Sequence, residues 1–184
     1  MKIKKGSVVY VMHHDNKISR LIAWFMRDKR YPTKDWSHSA FVVDSTEDEA
    51  WLSETTDLEI SYGRLSRYIN DPNCSVEIYE IDSIEEDLVR DAIKNADTRV
   101  GSIYAYWQLF SWALVCLLAK IKIDVPNWLP IGWVCNSHVL ECIVIYEKEP
   151  FKKLVPQSIH TMRMNYLMGT SFNWCLVYSK DASK

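Results

Sequence analysis

Three side chains in this sequence have the types and settings for acyl chemistry. Cys135 stands in Trp133-Val134-Cys135-Asn136-Ser137, at the start of a helix predicted from Val139, Leu140 and Ile143, behind a loop carrying Pro126, Pro130 and Gly132. Amide groups and the positive dipole end at a helix N-terminus stabilise a thiolate. A thiolate attacks a carbonyl carbon far better than a thiol does. The competing reading is a small buried hydrophobe, which is what most reduced cysteines are. A thiol nucleophile needs a base, and the histidines are His13, His14, His38, His138 and His160. His38, in Trp36-Ser37-His38-Ser39, enters an apolar strand whose rigidity would hold its ring in place. Glu54, in Leu52-Ser53-Glu54-Thr55, lies on the next predicted strand. A carboxylate there would fix the tautomer of the imidazole and stabilise the imidazolium. A hairpin centred on Thr46 would set His38 opposite Glu54 and Ala40 opposite Leu52.

His138 is the internal rival as base. It follows Cys135 by three residues, and Cys142 extends the same helix face. Cys135, His138 and Cys142 could also be read as metal ligands. A structural zinc site, however, wants four ligands, usually with a second chain segment. No metal and no cofactor is therefore expected. Tyr10, on the first strand, is a candidate second oxyanion donor beside the Cys135 amide.

The elements that must position these groups follow from periodicity. Ser7 to His13 reads as a strand. Asp15 or Asn16 can cap a helix with Ile18, Leu21, Ile22 and Phe25 on one face, which Tyr31-Pro32 stops. Strands are expected over residues 39–44, 50–55, 58–62 and 76–81, with a turn at Asp71-Pro72-Asn73. Ser83 and Glu86 form a capping box that opens a helix reaching about Asp97. A long apolar helix over residues 103–121, a short one over 158–167 and a last strand over 172–178 complete the chain. Strands come first and helices later, which favours α+β over a parallel α/β sheet.

These residues together resemble a family. Ile18-Ser19-Arg20-Leu21-Ile22-Ala23-Trp24-Phe25, then Trp36-Ser37-His38-Ser39-Ala40-Phe41-Val42-Val43, look like the helix and histidine-bearing strand of the circularly permuted NlpC-type, papain-like cysteine hydrolases, in their YiiX-like branch. Ser53-Glu54, Val100-Gly101-Ser102-Ile103-Tyr104 and Cys135-Asn136-Ser137-His138-Val139 follow in the family's order. The chain departs from the family at Gly6-Ser7, where an aspartate is frequent, and at Asn136-Ser137, in place of a serine–glutamate pair. The resemblance implies a small antiparallel sheet or half-barrel packed against helices, in one permuted papain-like domain over residues 1–184. It implies Cys135 as nucleophile, His38 as base and Glu54 as the orienting carboxylate. The expected reaction passes through an acyl-enzyme, as a cysteine amidase, peptidase, acyl-ester hydrolase or acyltransferase. Peptide, peptidoglycan-type or acyl-lipid substrates are expected. The alternative is a non-catalytic binding or accessory protein, membrane-adjacent or phage-encoded, that keeps the fold.

Composition bounds the rest. A chain of 184 residues and 21.6 kDa suits one domain that needs no disulfides to hold together. Its 22 basic and 24 acidic side chains give a formal charge of −2, which argues against a nucleic-acid binder driven by bulk charge. The five cysteines, at 74, 116, 135, 142 and 175, contain no CxxC pair and read as reduced thiols, pointing to a cytoplasmic setting. No apolar signal region follows the basic start. Val100 to Ala119 is uncharged and about the length of a membrane span, but its Gly, Ser, Gln and aromatic content favours a buried helix or one in peripheral contact with a membrane.

Overall fold

A computed structural model describes residues 2–26, 36–56, 59–103, 138, 139, 142 and 174–183. β1 (Val8–His13) is β-branched and apolar on both faces, and it takes a central place in a sheet covered on both sides. β2 (His38–Ser45), β3 (Ala50–Thr56), β4 (Glu59–Arg64), β5 (Cys74–Ile81) and β6 (Trp174–Lys180) join it in the order β4-β3-β2-β1-β5-β6. Every neighbouring pair is antiparallel. Helices α1 (Lys17–Met26), α2 (Ser66–Ile69) and α3 (Glu86–Asp97) accompany the sheet. The architecture is α+β, as expected from the element order.

Alternation along the strands sorts the core into two clusters. Val8, Tyr10, Met12 and Phe41 point to one face, where Ala92 and Ala96 of α3, Val139 and Cys142 pack against them. Val9, Val11, Ala40, Val42, Leu52, Val76 and Ile78 point to the other, which Leu65 and Tyr68 cover. The first will be called the α3 face and the second the α2 face.

Local signals succeed unevenly. The Asn16 Oδ1 caps α1 by accepting from the amides of Ile18 at 2.8 Å and Ser19 at 3.2 Å. The predicted apolar face of α1 is not a core face, because Ile18 and Leu21 are exposed and Ala23 is the buried contact. The Ser83–Glu86 capping box does not form. Ser83 takes a left-handed φ of 59° in the preceding turn, Glu85 is the N-cap, and no side chain caps that end. α3 itself packs an apolar stripe against the sheet, with Leu88, Val89 and Ile93 beside the buried Ala92 and Ala96.

No helix among the described residues is long and apolar enough to cross a membrane. The predicted helices over 103–121 and 158–167 lie outside the described residues save for Ile103, as does the Pro126–Pro130 loop.

Candidate active site

His38 is the first residue of β2, and Glu54 lies two-thirds of the way along β3. The ladder pairs Ala40 with Glu54 and Val42 with Leu52, so the register differs by two residues from a hairpin that would set His38 against Glu54. Beside the turn, Asp44 pairs with Trp51 and Ser45 with Ala50, an offset of three, and the bulge at Val43, where β2 carries one more residue than β3, brings it back to two. A slip of two preserves the side-chain face, and diagonal neighbours on one face remain within reach of long side chains. His38 and Glu54 meet on that diagonal, on the α2 face, with Nε2 to Oε2 at 2.8 Å.

Glu54 is fully buried, whereas the His38 side chain keeps 13% of its surface open. Two further groups hold the carboxylate, both from α2. The Tyr68 hydroxyl donates to Oε2 at 2.6 Å, and the Arg67 guanidinium lies 2.7 Å from Oε1. Arg67 also donates to the Tyr68 hydroxyl and lies over its ring, 4.5 Å from the centroid. Burial alone would raise the Glu54 pKa. The hydrogen bond and charge of His38, the charge of Arg67 and the Tyr68 hydroxyl outweigh it and hold the pKa below the usual carboxylate value. An ionised carboxylate only accepts, so His38 presents Nε2–H to it. In the neutral ring the lone pair then sits on Nδ1, the nitrogen that can act as a base.

Arg67 and Tyr68 were not foreseen. A helix of four residues has no apolar periodicity to read, and nothing in Ser66-Arg67-Tyr68-Ile69 announces a link to residue 54. Gly63 completes the arrangement. A Cβ added there would fall 1.8 Å from Glu54 Oε1 and 3.2 Å from Arg67 Cζ, so the carboxylate occupies space that only glycine leaves.

His138 lies elsewhere. It is fully buried and its Nε2 lies 2.9 Å from the hydroxyl of Ser53. Ser53 adjoins Glu54 on β3 and therefore points to the α3 face. The other ring nitrogen of His138, Nδ1, has no hydrogen-bond partner among the described residues. Burial, the charge of Arg99 and the proximity of His38 push its pKa down to about 4, so it is neutral at physiological pH. Glu54 is hydrogen-bonded to His38, and His138 to Ser53. Tyr10 also points to the α3 face, 2% exposed, stacked on Trp36 with centroids 6.1 Å apart. That placement faces it away from the His38–Glu54 pair and does not suit an oxyanion donor beside His38. Cys135 lies outside the described residues.

A second polar group stands on the α2 face. His13 and Cys74 are directly paired at the ends of β1 and β5, and their rings and sulfur lie beside Tyr68. The Tyr68 ring lies between two histidines, 5.5 Å from His13 and 6.0 Å from His38 by centroids.

Comparison with solved structures finds the same architecture in metalloprotein YiiX from Escherichia coli O157:H7, of the family DUF1105. The TM-score is 0.55 over 82% of this chain and 69% of that one, at 12% sequence identity. The chain shares the YiiX fold. No protein-family model matches the sequence, and no curated protein matches it. The likeness to YiiX is thus one of fold, and the chemistry must be argued from the side chains of this chain.

Proposed function

We propose that this protein is a cysteine hydrolase of the permuted papain-like kind, in which His38 is the general base, Glu54 orients it and Cys135 is the nucleophile. The observation that carries the reading is the 2.8 Å bond between a partly open histidine and a fully buried, ionised carboxylate on the neighbouring strand. That is the base-and-orienter half of a nucleophilic triad. The YiiX fold and the order of the histidine, glutamate and cysteine motifs in the sequence support the other half.

In this reading His38 Nδ1 takes the thiol proton of Cys135. The sulfur attacks an amide, ester or thioester carbonyl, and the Cys135 amide donates to the oxyanion. The C–S bond forms as the carbonyl π pair moves to oxygen. Collapse expels the leaving group, which takes its proton from His38. Water, deprotonated by the same ring, then releases the acid and regenerates the thiol. Peptide, peptidoglycan-type and acyl-lipid carbonyls all fit this chemistry.

A thiol-directed acyl probe tests the proposal. Wild type should label at Cys135 alone, and labelling should fall at least tenfold in His38→Ala and vanish in Cys135→Ala, while Cys142→Ala labels normally. Equal labelling of the cysteines, insensitive to His38, would support the second reading: a binding or accessory protein that retains the fold.

A further inference from the structure

The end of β1 lies beside the start of β5, where His13 pairs with Cys74. The turn before Cys74 is built on Asp71. Its Oδ1 accepts from the Asn73 amide at 2.8 Å, and its carbonyl accepts from the Cys74 amide at 3.1 Å. This Asx-type turn leaves the other oxygen, Oδ2, 3.3 Å from Cys74 Sγ. His13 Nδ1 approaches the same sulfur at 3.0 Å from across the ladder. One nitrogen, one sulfur and one carboxylate oxygen from two chain segments thus lie within 4.8 Å of one another.

With the thiol protonated, Cys74 can donate to Asp71 Oδ2 and accept from His13 Nδ1, and the same three atoms are spaced closely enough to share a cation. Tetrahedral zinc, with its usual bonds to sulfur, nitrogen and oxygen, sets neighbouring ligand atoms about 3.5 Å apart. The two observed spacings need to widen by about half an ångström or less to reach that value. Cys74 is fully buried, while His13 and Asp71 are partly open, so the cluster has one sealed side and one that water can reach. A thiolate and a carboxylate together would balance a divalent cation. The Lys180 ammonium nearby donates to the backbone carbonyls of Tyr68 and Asp71, not to the three donor atoms. Without a metal, burial and Asp71 push the Cys74 thiol up to about 12, so it is a poor nucleophile in its own right.

We propose that His13 Nδ1, Asp71 Oδ2 and Cys74 Sγ bind one divalent cation of the zinc class, with water in the fourth position. Binding replaces the thiol proton, which leaves to solvent as the metal–sulfur bond forms. The site is separate from the His38–Glu54 pair, with the Tyr68 ring between them, and stands or falls independently of the hydrolase reading. Its donor set, two soft or borderline atoms and one carboxylate, favours zinc over magnesium or calcium.

Cobalt(II) is the probe. The full-length, reduced and chelator-treated chain should take up one equivalent, with a sulfur-to-cobalt charge-transfer band and the intense visible bands of four-coordinate cobalt. One equivalent of zinc should bleach both. Cys74→Ser should abolish the charge-transfer band, and Asp71→Asn and His13→Asn should each weaken cobalt binding at least tenfold. Cys135→Ser, Cys142→Ser and Cys175→Ser should leave it unchanged. Circular dichroism identifies variants that fold, and Asp71→Asn, on an exposed turn, carries the test if Cys74→Ser does not. A folded wild type without the band, a band that survives Cys74→Ser, or cobalt binding indifferent to Asp71→Asn would overturn the proposal.

Discussion

Substituting Gly63 by alanine isolates the seat of the Glu54 carboxylate. Gly63 has no left-handed φ to explain it, and alanine in a strand is ordinarily better than glycine by about 0.5–1 kcal/mol. Here the added methyl would lie 1.8 Å from Glu54 Oε1 and 3.0 Å from its Cδ. Normal contact lies near 3.5 Å, so the carboxylate must retreat by more than an ångström. Its bonds to His38 and Tyr68, 2.8 and 2.6 Å long, do not survive such a move. Loosening a buried charge from its partners costs about 3–5 kcal/mol. Because Arg67 is 42% exposed and can follow the carboxylate, the lower end applies, about 3 kcal/mol. For a chain of this size that lowers Tm by about 6–12 °C. The assay is urea unfolding of four proteins: wild type, Gly63→Ala, Glu54→Ala and the double variant. With Glu54 shortened the clash disappears, so Gly63→Ala should then be neutral or mildly stabilising, a coupling of about 3 kcal/mol. Gly63→Ala should also shift the ring-nitrogen resonances of His38. Equal effects of Gly63→Ala in both backgrounds would refute the reasoning.

The remaining predictions concern the same groups. Glu54→Gln keeps the shape but removes the charge that favours the imidazolium, so Cys135 acylation should fall by about 10²–10⁴-fold, read by probe kinetics. Tyr68→Phe removes one bond to a charged oxygen, worth about 1.5–3 kcal/mol, and should raise the Glu54 pKa, read by carboxyl ¹³C titration. His138 has its pKa lowered from 6.5 to about 4. The unfolded state therefore binds the extra proton first as pH falls. The His138 contribution is complete above pH 6.5 and disappears as pH drops through 4, about 3 kcal/mol in all. Urea unfolding between pH 7 and 4 should show that slope in wild type and lose it in His138→Gln. Glu54, with its pKa depressed, contributes stability above the usual carboxylate pKa and loses it as pH falls below, a step that Glu54→Gln should remove.

What was legible in the sequence depended on range. The strand alternation of β2 and β3 placed His38 and Glu54 on one face, and because side-chain direction repeats every two residues, an offset of two left them in contact. The bulge at Val43 was not legible, since nothing in Phe41-Val42-Val43-Asp44 distinguishes a bulge from regular strand. The Asn16 cap was readable because a cap is settled within three residues. The Ser83 cap misread came from matching a spacing without the backbone, which turns left-handed at Ser83. The groups that hold Glu54 from α2, and the pairing of His13 with Cys74 across 61 residues, depend on how distant strands and turns meet. No local pattern carries that information.

The cost of burying Glu54 bears on why it is there. A buried ion pair adds little net stability over apolar side chains of the same volume, because desolvation offsets the attraction. Leu52, two residues earlier on the same face, shows that β3 accommodates an ordinary aliphatic side chain there. Glu54 nevertheless has a hydrogen bond from His38, another from Tyr68, an ion pair with Arg67 and a glycine opposite to leave room. A buried charge needs such partners whatever its purpose. The proposed role would account for the charge itself, since a loosely held carboxylate would let the imidazole turn and its proton change nitrogens. The exposures follow the same division, with the orienting group sealed and the ring it orients left partly open. Glu54→Leu separates the two purposes. If the carboxylate serves stability, that variant should unfold more readily than wild type by 3 kcal/mol or more. If it serves His38, stability should change little while His38-dependent labelling of Cys135 is lost.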